Sequence, residues 1–134
     1  MTTREGGCLC GGVRYRITGE LSDIIACHCQ QCRRTTGHFF AHTDVRRADL
    51  ELLNDASLHR YESSPGINRS FCGTCGATLF WERIDADQLS IAAGTLDGPT
   101  GLKLASHIFT AFMGDYYELE AGLPQHPEWP PEGD

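Results

Sequence analysis

Seven cysteines, gathered in three short segments, are the residues of this 134-residue sequence best suited to chemistry. In Phe71-Cys72-Gly73-Thr74-Cys75-Gly76 two thiols stand three positions apart with glycines in the turn, the arrangement of a zinc knuckle. Such a turn aims both sulfurs at one centre and lets backbone N–H groups bond the thiolates, while Gly76 is free to take the positive φ needed past the second ligand. In Cys8-Leu9-Cys10-Gly11-Gly12 the thiols are two apart, so an extended chain projects them to one face. Read alone, that pair could also be two small buried hydrophobes. Cys27-His28-Cys29-Gln30-Gln31-Cys32 sets three thiols in six residues and runs straight into Arg33 and Arg34. Thiols so close together, beside arginines that favour the thiolate, would be reactive and oxidisable unless a metal or a redox role occupied them.

Spacing does not decide which four cysteines share an ion. Cys29 and Cys32 could join Cys72 and Cys75 in a two-knuckle site, or Cys8 and Cys10 could do so. Either partition leaves four thiolates in a closed site and three in an open one. A closed site is structural, whereas an open one keeps a position for water or substrate. Three thiolates give zinc a net negative charge and weaken its power to acidify water, so hydrolysis is not the expected chemistry. Soft ligands suit a further sulfur, held as thiolate near neutral pH, and the expected reaction is thiol addition.

Around that site, Arg33 and Arg34 are candidates to bind a substrate carboxylate. His28, His38 and His42 are candidates for a fourth ligand or a proton donor, although a histidine between two ligating cysteines should point away from their metal. His107, among apolar neighbours, reads as a satisfied, half-buried histidine. Trp81, Phe109, Tyr116 and Tyr117 read as core or sheet-face residues.

The elements that must position these groups are mostly short and alternating. Val13, Tyr15 and Ile17 mark one side of a first strand. Further strands are expected around 39–41, 50–52, 58–61, 67–71, 78–81, 89–93 and 104–109, separated by turns such as Ser64-Pro65-Gly66 and Asp97-Gly98-Pro99. One or two helical turns fit Gln30 to Thr36, and little other helix is expected. The reading is an all-β domain over residues 1–123, followed by a proline-rich, acidic tail, 124–134, that runs extended over the surface or is disordered.

A formal charge of −7 disfavours a nucleic-acid partner, whose phosphates are met by lysine and arginine. No apolar run reaches membrane-spanning length, and the first residues lack the apolar stretch of a secretory signal, so a cytoplasmic protein with no membrane partner is expected. In a reducing compartment clustered cysteines serve as ligands or catalytic groups more often than as disulfides.

Taken together, Gly7 to Val13, Cys27-His28-Cys29 through Cys32-Arg33-Arg34 to Gly37, Phe71 to Gly76, Ala93-Gly94-Thr95-Leu96-Asp97, Ser106-His107-Ile108-Phe109 and Gly122-Leu123-Pro124-Gln125 resemble the glutathione-dependent formaldehyde-activating enzyme family, or centromere protein V-type domain. The resemblance implies packed antiparallel sheets of the Mss4-like or β-tent type, pinned by a four-cysteine zinc site. It implies two zinc ions, a structural one on Cys8, Cys10, Cys72 and Cys75 and a catalytic one on Cys27, Cys29 and Cys32. It also implies a carbon–sulfur lyase that adds glutathione or a similar thiol to formaldehyde or another small electrophile. Arg33, Arg34 and His38 are then the candidate substrate contacts, and a homodimer is allowed. The competing readings are a non-catalytic zinc-stabilised binding module and a cysteine-cluster redox sensor.

Overall fold

The computed structural model describes residues 2–131. In chain order the elements are β1 (Thr3–Gly7), β2 (Arg14–Thr18), β3 (Ile24–Cys27), α1 (Gln30–Thr36), β4 (Phe40–Arg46) and β5 (Leu50–Asn54). These are followed by β6 (Leu58–Ser64), β7 (Ile67–Cys72), β8 (Thr78–Arg83), β9 (Gln88–Ala92) and β10 (Leu104–Ile108). The fold is mostly β, as the alternation predicts. One sheet has three strands in the order β1-β2-β5, and the other has seven in the order β10-β3-β4-β9-β8-β7-β6. Every pairing is antiparallel except that of β10 with β3, which is parallel.

The period of two along each strand sorts the side chains between two faces. Tyr15 and Ile17 of β2 are fully buried and pack with Val45, Leu79, Phe80, Leu89 and Ile91 of the larger sheet, which forms the main core. Each such burial is worth about 1.5–3 kcal/mol. Arg14 and Arg16, the outward partners in β2, meet Asp97 and Glu5 instead. The opposite face of the seven-stranded sheet does not pack on another sheet. Its residues, among them Cys27, Phe40, His42, Asp44, Ser90, Trp81 and Arg69, line a cavity of about 950 Å³.

Helix α1 occupies the expected span. Cys29 caps its start by accepting the Cys32 N–H, and Gly37 ends it at φ 88°, donating its N–H to the Arg33 carbonyl. Cys32 is the one residue the helix buries.

Beyond β10 the chain returns along it. The His107 N–H reaches the Pro124 carbonyl, the His126 N–H reaches the His107 carbonyl, and the Phe109 N–H reaches Glu128. These bonds hold Phe109 at φ 57°, a left-handed conformation unfavourable by about 1–2 kcal/mol for a side chain of this kind. Trp129 then stacks edge-on against Phe109, with ring centroids 5.0 Å apart, and both line the cavity. The described part of the tail is tied to β10 and the residues after it by these bonds and bends at 127–129, and residues 132–134 lie outside the described residues. Among the described residues no helix is long and apolar enough to cross a membrane.

Candidate active site

Two groups of sulfurs converge. Cys8, Cys10, Cys72 and Cys75 place their Sγ atoms within 4.8 Å of one another, and so do Cys27, Cys29 and Cys32. None of the seven is in a disulfide.

The first group joins the two sheets. Cys8 and Cys10 follow β1, while Cys72 and Cys75 bracket the turn from β7 to β8. Cys10 Sγ lies 3.6 Å from both Cys8 Sγ and Cys72 Sγ. Four sulfurs around a tetrahedral zinc at about 2.3 Å would be about 3.8 Å apart, so this donor set fits that ion. The sulfurs are further prepared for negative charge. The Val13 N–H points at Cys8, and the N–H groups of Thr74 and Cys75 point at Cys72. The Ser57 hydroxyl at 3.1 Å, followed by those N–H groups, brings Cys72 down to about 5. Gly76 takes φ 79° immediately after the knuckle, as the motif requires.

The second group is set by β3, whose last residue is Cys27, and by the first turn of α1. Cys27 and Cys32 are buried and Cys29 is half-buried. Hydrogen bonds from Cys27 and then Cys32 hold the Cys29 thiol far below its ordinary value, with Arg69 adding to the effect. Cys27 is pushed up, by Cys29 first and then by Cys32 and burial. The cluster thus favours negative charge on Cys29 first, with Cys27 and Cys32 pushed the other way.

Arg69 is the residue that sequence reasoning missed. Its guanidinium, on β7, lies 3.6 Å from Cys32 Sγ through both terminal nitrogens and 3.9 Å from Cys29 Sγ. It is only 8% exposed and has no carboxylate partner among the described residues. A buried cation needs an anion, and here the sulfurs supply it. The local signal was weak, since Ile67-Asn68-Arg69-Ser70-Phe71 reads simply as a strand with a polar face.

The candidate histidines part ways. His28 is fully buried with both ring nitrogens occupied, one by the Tyr117 hydroxyl and the other by His107 Nδ1 at 2.9 Å. His107 Nε2 in turn meets Glu120 at 2.6 Å. Burial, and after it the neighbouring His107, lowers His28 to about 4, which keeps it neutral. His28 therefore points away from the sulfurs and serves as a tie to the segment after β10. His107 is fully rather than half-buried.

His38 bonds the Tyr116 hydroxyl at 2.6 Å. Arg33 is half-buried and Arg34 exposed on α1. None of these three lines the cavity, whereas Gln30, Gln31 and Cys32 of the same helix do. Of the four aromatic residues read as core or sheet-face, Trp81 and Phe109 are cavity walls and Tyr116 is exposed. His42 also opens onto the cavity, with Nδ1 on Asp44 Oδ1 at 2.9 Å.

The chain is similar to known proteins to different extents. A solved structure of a Rhodobacter sphaeroides protein superposes with a TM-score of 0.62 at 23% identity, covering 90% of this chain and 98% of the other. At that identity the likeness speaks for the fold alone. Over 82 residues the chain is 29% identical to an uncharacterized lyase of Schizosaccharomyces pombe, covering 60% of this chain and 58% of that protein. Over 94 residues it is 29% identical to a Halomonas elongata protein provisionally named a glutathione-dependent formaldehyde-activating enzyme, covering 57% and 54%. The chain thus spans little more than half the length of these curated relatives. Residues 3–112 match the sequence model of the family described as glutathione-dependent formaldehyde-activating enzyme. Because that match takes in all seven cysteines and every strand of both sheets, the chain belongs to the glutathione-dependent formaldehyde-activating enzyme family.

Proposed function

We propose that this protein is a zinc-dependent carbon–sulfur lyase that joins a thiol, glutathione or one like it, to formaldehyde or another small electrophile, giving an S-hydroxymethyl-type adduct. The observation that carries the reading is a three-sulfur cluster, faced by a buried arginine, in the wall of a substrate-sized cavity. Cys8, Cys10, Cys72 and Cys75 would hold a structural zinc, and Cys27, Cys29 and Cys32 a second, reactive one. When bound there, zinc supplies a soft Lewis-acidic centre that favours thiolate over thiol near neutral pH.

The chain's own residues do the rest. Arg69 balances the negative charge of the sulfurs, so that a further anionic sulfur can approach. Phe40, Trp81 and Ile108 exclude water from the cavity wall beside Cys27 and Cys32. Arg33, Arg34 and His38 lie outside the cavity, and we assign them contact with whatever part of the thiol extends past α1. Seven unpaired cysteines suit a reducing compartment, and a cytoplasmic setting belongs to the same proposal.

The test is direct. Reduced, zinc-loaded protein is expected to accelerate exchange between formaldehyde, glutathione and their adduct, followed by exchange-resolved NMR, and to contain two zinc ions per chain. Spontaneous exchange left unaccelerated by fully loaded protein would sink the reading.

Arg69 offers a second check. Arg69→Met keeps the unbranched apolar stem but removes the guanidinium that reaches the sulfurs, and its charge with it. It is expected to weaken metal binding at the three-sulfur site about 10–100-fold, the usual effect of losing an outer partner of a ligand. Chelator competition on the purified protein measures this, and the four-sulfur site should be unaffected. Equal loss at both sites, or none, would show that Arg69 does not act on Cys29 and Cys32.

A further inference from the structure

The proposed addition needs a group that takes a proton from the thiol and returns it to the new oxygen. The cysteines do not supply one, and Arg69 is committed to the sulfurs. The cavity face of β4 carries Phe40, His42 and Asp44 at successive alternate positions. Phe40 pairs with Cys27 across the β3–β4 ladder, and His42 pairs with Ile25. His42 is thus the diagonal neighbour of Cys27 on one face, a pair spaced about 7–8 Å apart with its Cβ atoms somewhat closer. Both residues line the cavity, and the Phe40 ring stacks on the His42 ring at a centroid distance of 5.2 Å.

The histidine is oriented from behind. Asp44 Oδ1 accepts from His42 Nδ1 at 2.9 Å and from the Ser90 hydroxyl at 2.7 Å, and Ser90 pairs with Asp44 from β9. The Asp44 backbone N–H is fixed in turn by the Ser22 hydroxyl. A carboxylate on Nδ1 requires the proton there, which leaves the lone pair on Nε2. Nε2 has no hydrogen-bond partner among the described residues and is not sealed from solvent, although the His42 side chain is only 9% exposed. An aspartate–histidine pair built only to hold the sheet would have no need of an open nitrogen on a residue that lines the cavity of Cys27, Cys29 and Cys32.

We infer that His42, held by Asp44 and Ser90, is the acid–base residue of this site, its Nε2 shuttling one proton between thiol and carbonyl oxygen. This rests on the proposed thiol addition. The thiol S–H bond breaks and its proton passes to Nε2, giving an imidazolium that Asp44 stabilises. The sulfur lone pair forms the S–C bond while the C=O π pair moves onto oxygen. The same proton then leaves Nε2 for that oxygen, giving the hydroxyl. No proton is gained or lost overall, so a single histidine suffices, and the reverse sequence releases thiol and carbonyl compound.

The experiment uses the zinc-loaded full chain with glutathione and formaldehyde. His42→Gln is expected to lower kcat about 10²–10⁴-fold, the usual contribution of general acid–base catalysis, with KM, zinc content and thermal transition unchanged. In His42→Ala, added imidazole is expected to restore part of the rate with saturation, which a merely structural role would not allow. In wild type, long-range proton–nitrogen spectra should show His42 as the Nδ1–H tautomer, and Asp44→Asn should disturb that state. Wild type active and His42→Gln within about 3-fold of it, or no imidazole rescue, overturns this inference alone. Wild type that does not accelerate the exchange overturns the proposed reaction and this inference with it.

Discussion

Cys72→Ala is expected to abolish the cooperative thermal unfolding transition at neutral pH, because it removes one corner of the joint between the two sheets. Cys72 is fully buried and accepts from the Ser57 hydroxyl and from two backbone N–H groups. Alanine leaves these donors facing a void. Structural zinc contributes roughly 10–16 kcal/mol to the folding of small zinc domains, whereas net stability is roughly 5–15 kcal/mol. Losing even a third of the former, about 3–5 kcal/mol, takes away most of the margin at the lower end of that range. The three-stranded sheet would suffer first, since its strands have five residues each and Cys8 and Cys10 tie it to the β7–β8 turn. Circular dichroism with metal analysis checks this. A variant that melts cooperatively within about 5 °C of wild type, a shift of only about 1 kcal/mol, would show that the four-sulfur site is not what joins the sheets.

The features written locally in the sequence are those in which nearby residues determine the geometry. The Cys72-x-x-Cys75 knuckle, the positive φ of Gly76 and the span of α1 each depend on fewer than eight residues, and each is found where the spacing places it. The alternation of Tyr15 and Ile17 with Arg14 and Arg16 likewise encodes a face before anything is known of what covers it. The strand β3 was not read, because Ile24-Ile25-Ala26 is too short an apolar run to separate from a loop entering the cysteine cluster. The parallel pairing of β10 with β3 is also silent, since side-chain pattern marks a face and not a direction.

The site follows the same division. Three thiols within six residues announce a cluster, but their counter-charge comes from 37 residues away, where Arg69 is one polar residue in an ordinary strand. His42 could be singled out as a histidine near cysteines. Its partnership with Asp44 was available from the i, i+2 spacing, while Ser90, 46 residues from Asp44, was not. Arg33 and Arg34 attracted notice through adjacency, yet a helix turns successive residues by about 100°. Once Cys32 faces inward, Arg33 is turned away from the cavity into a half-buried position and Arg34 is carried to solvent. Trp129 is hidden for another reason. A proline-rich acidic stretch looks unfoldable on composition, and only the backbone bonds to β10 make it a wall.

Cys32→Ala should separate the two clusters functionally, leaving a folded protein whose zinc content falls from two to one and whose turnover falls about 10³-fold. The fold should survive because α1 packs sparsely on the sheets, chiefly on β4, and the four-sulfur joint lies elsewhere. The rate loss follows from losing a Lewis-acidic centre worth several kcal/mol, at about 1.36 kcal/mol per tenfold. One complication is physical: Cys32 is the sulfur nearest to Arg69, so the substitution leaves a buried guanidinium with Cys29 alone. An unpaired buried cation is strongly destabilising, by about 3–5 kcal/mol. The double variant Cys32→Ala with Arg69→Met removes both partners, and it should recover thermal stability without recovering turnover. That split is the decisive reading, because a purely structural role for the cluster predicts that activity returns with stability. Retention of two zinc ions and of turnover within about 3-fold by Cys32→Ala would mean that the three sulfurs neither hold a metal together nor take part in the reaction.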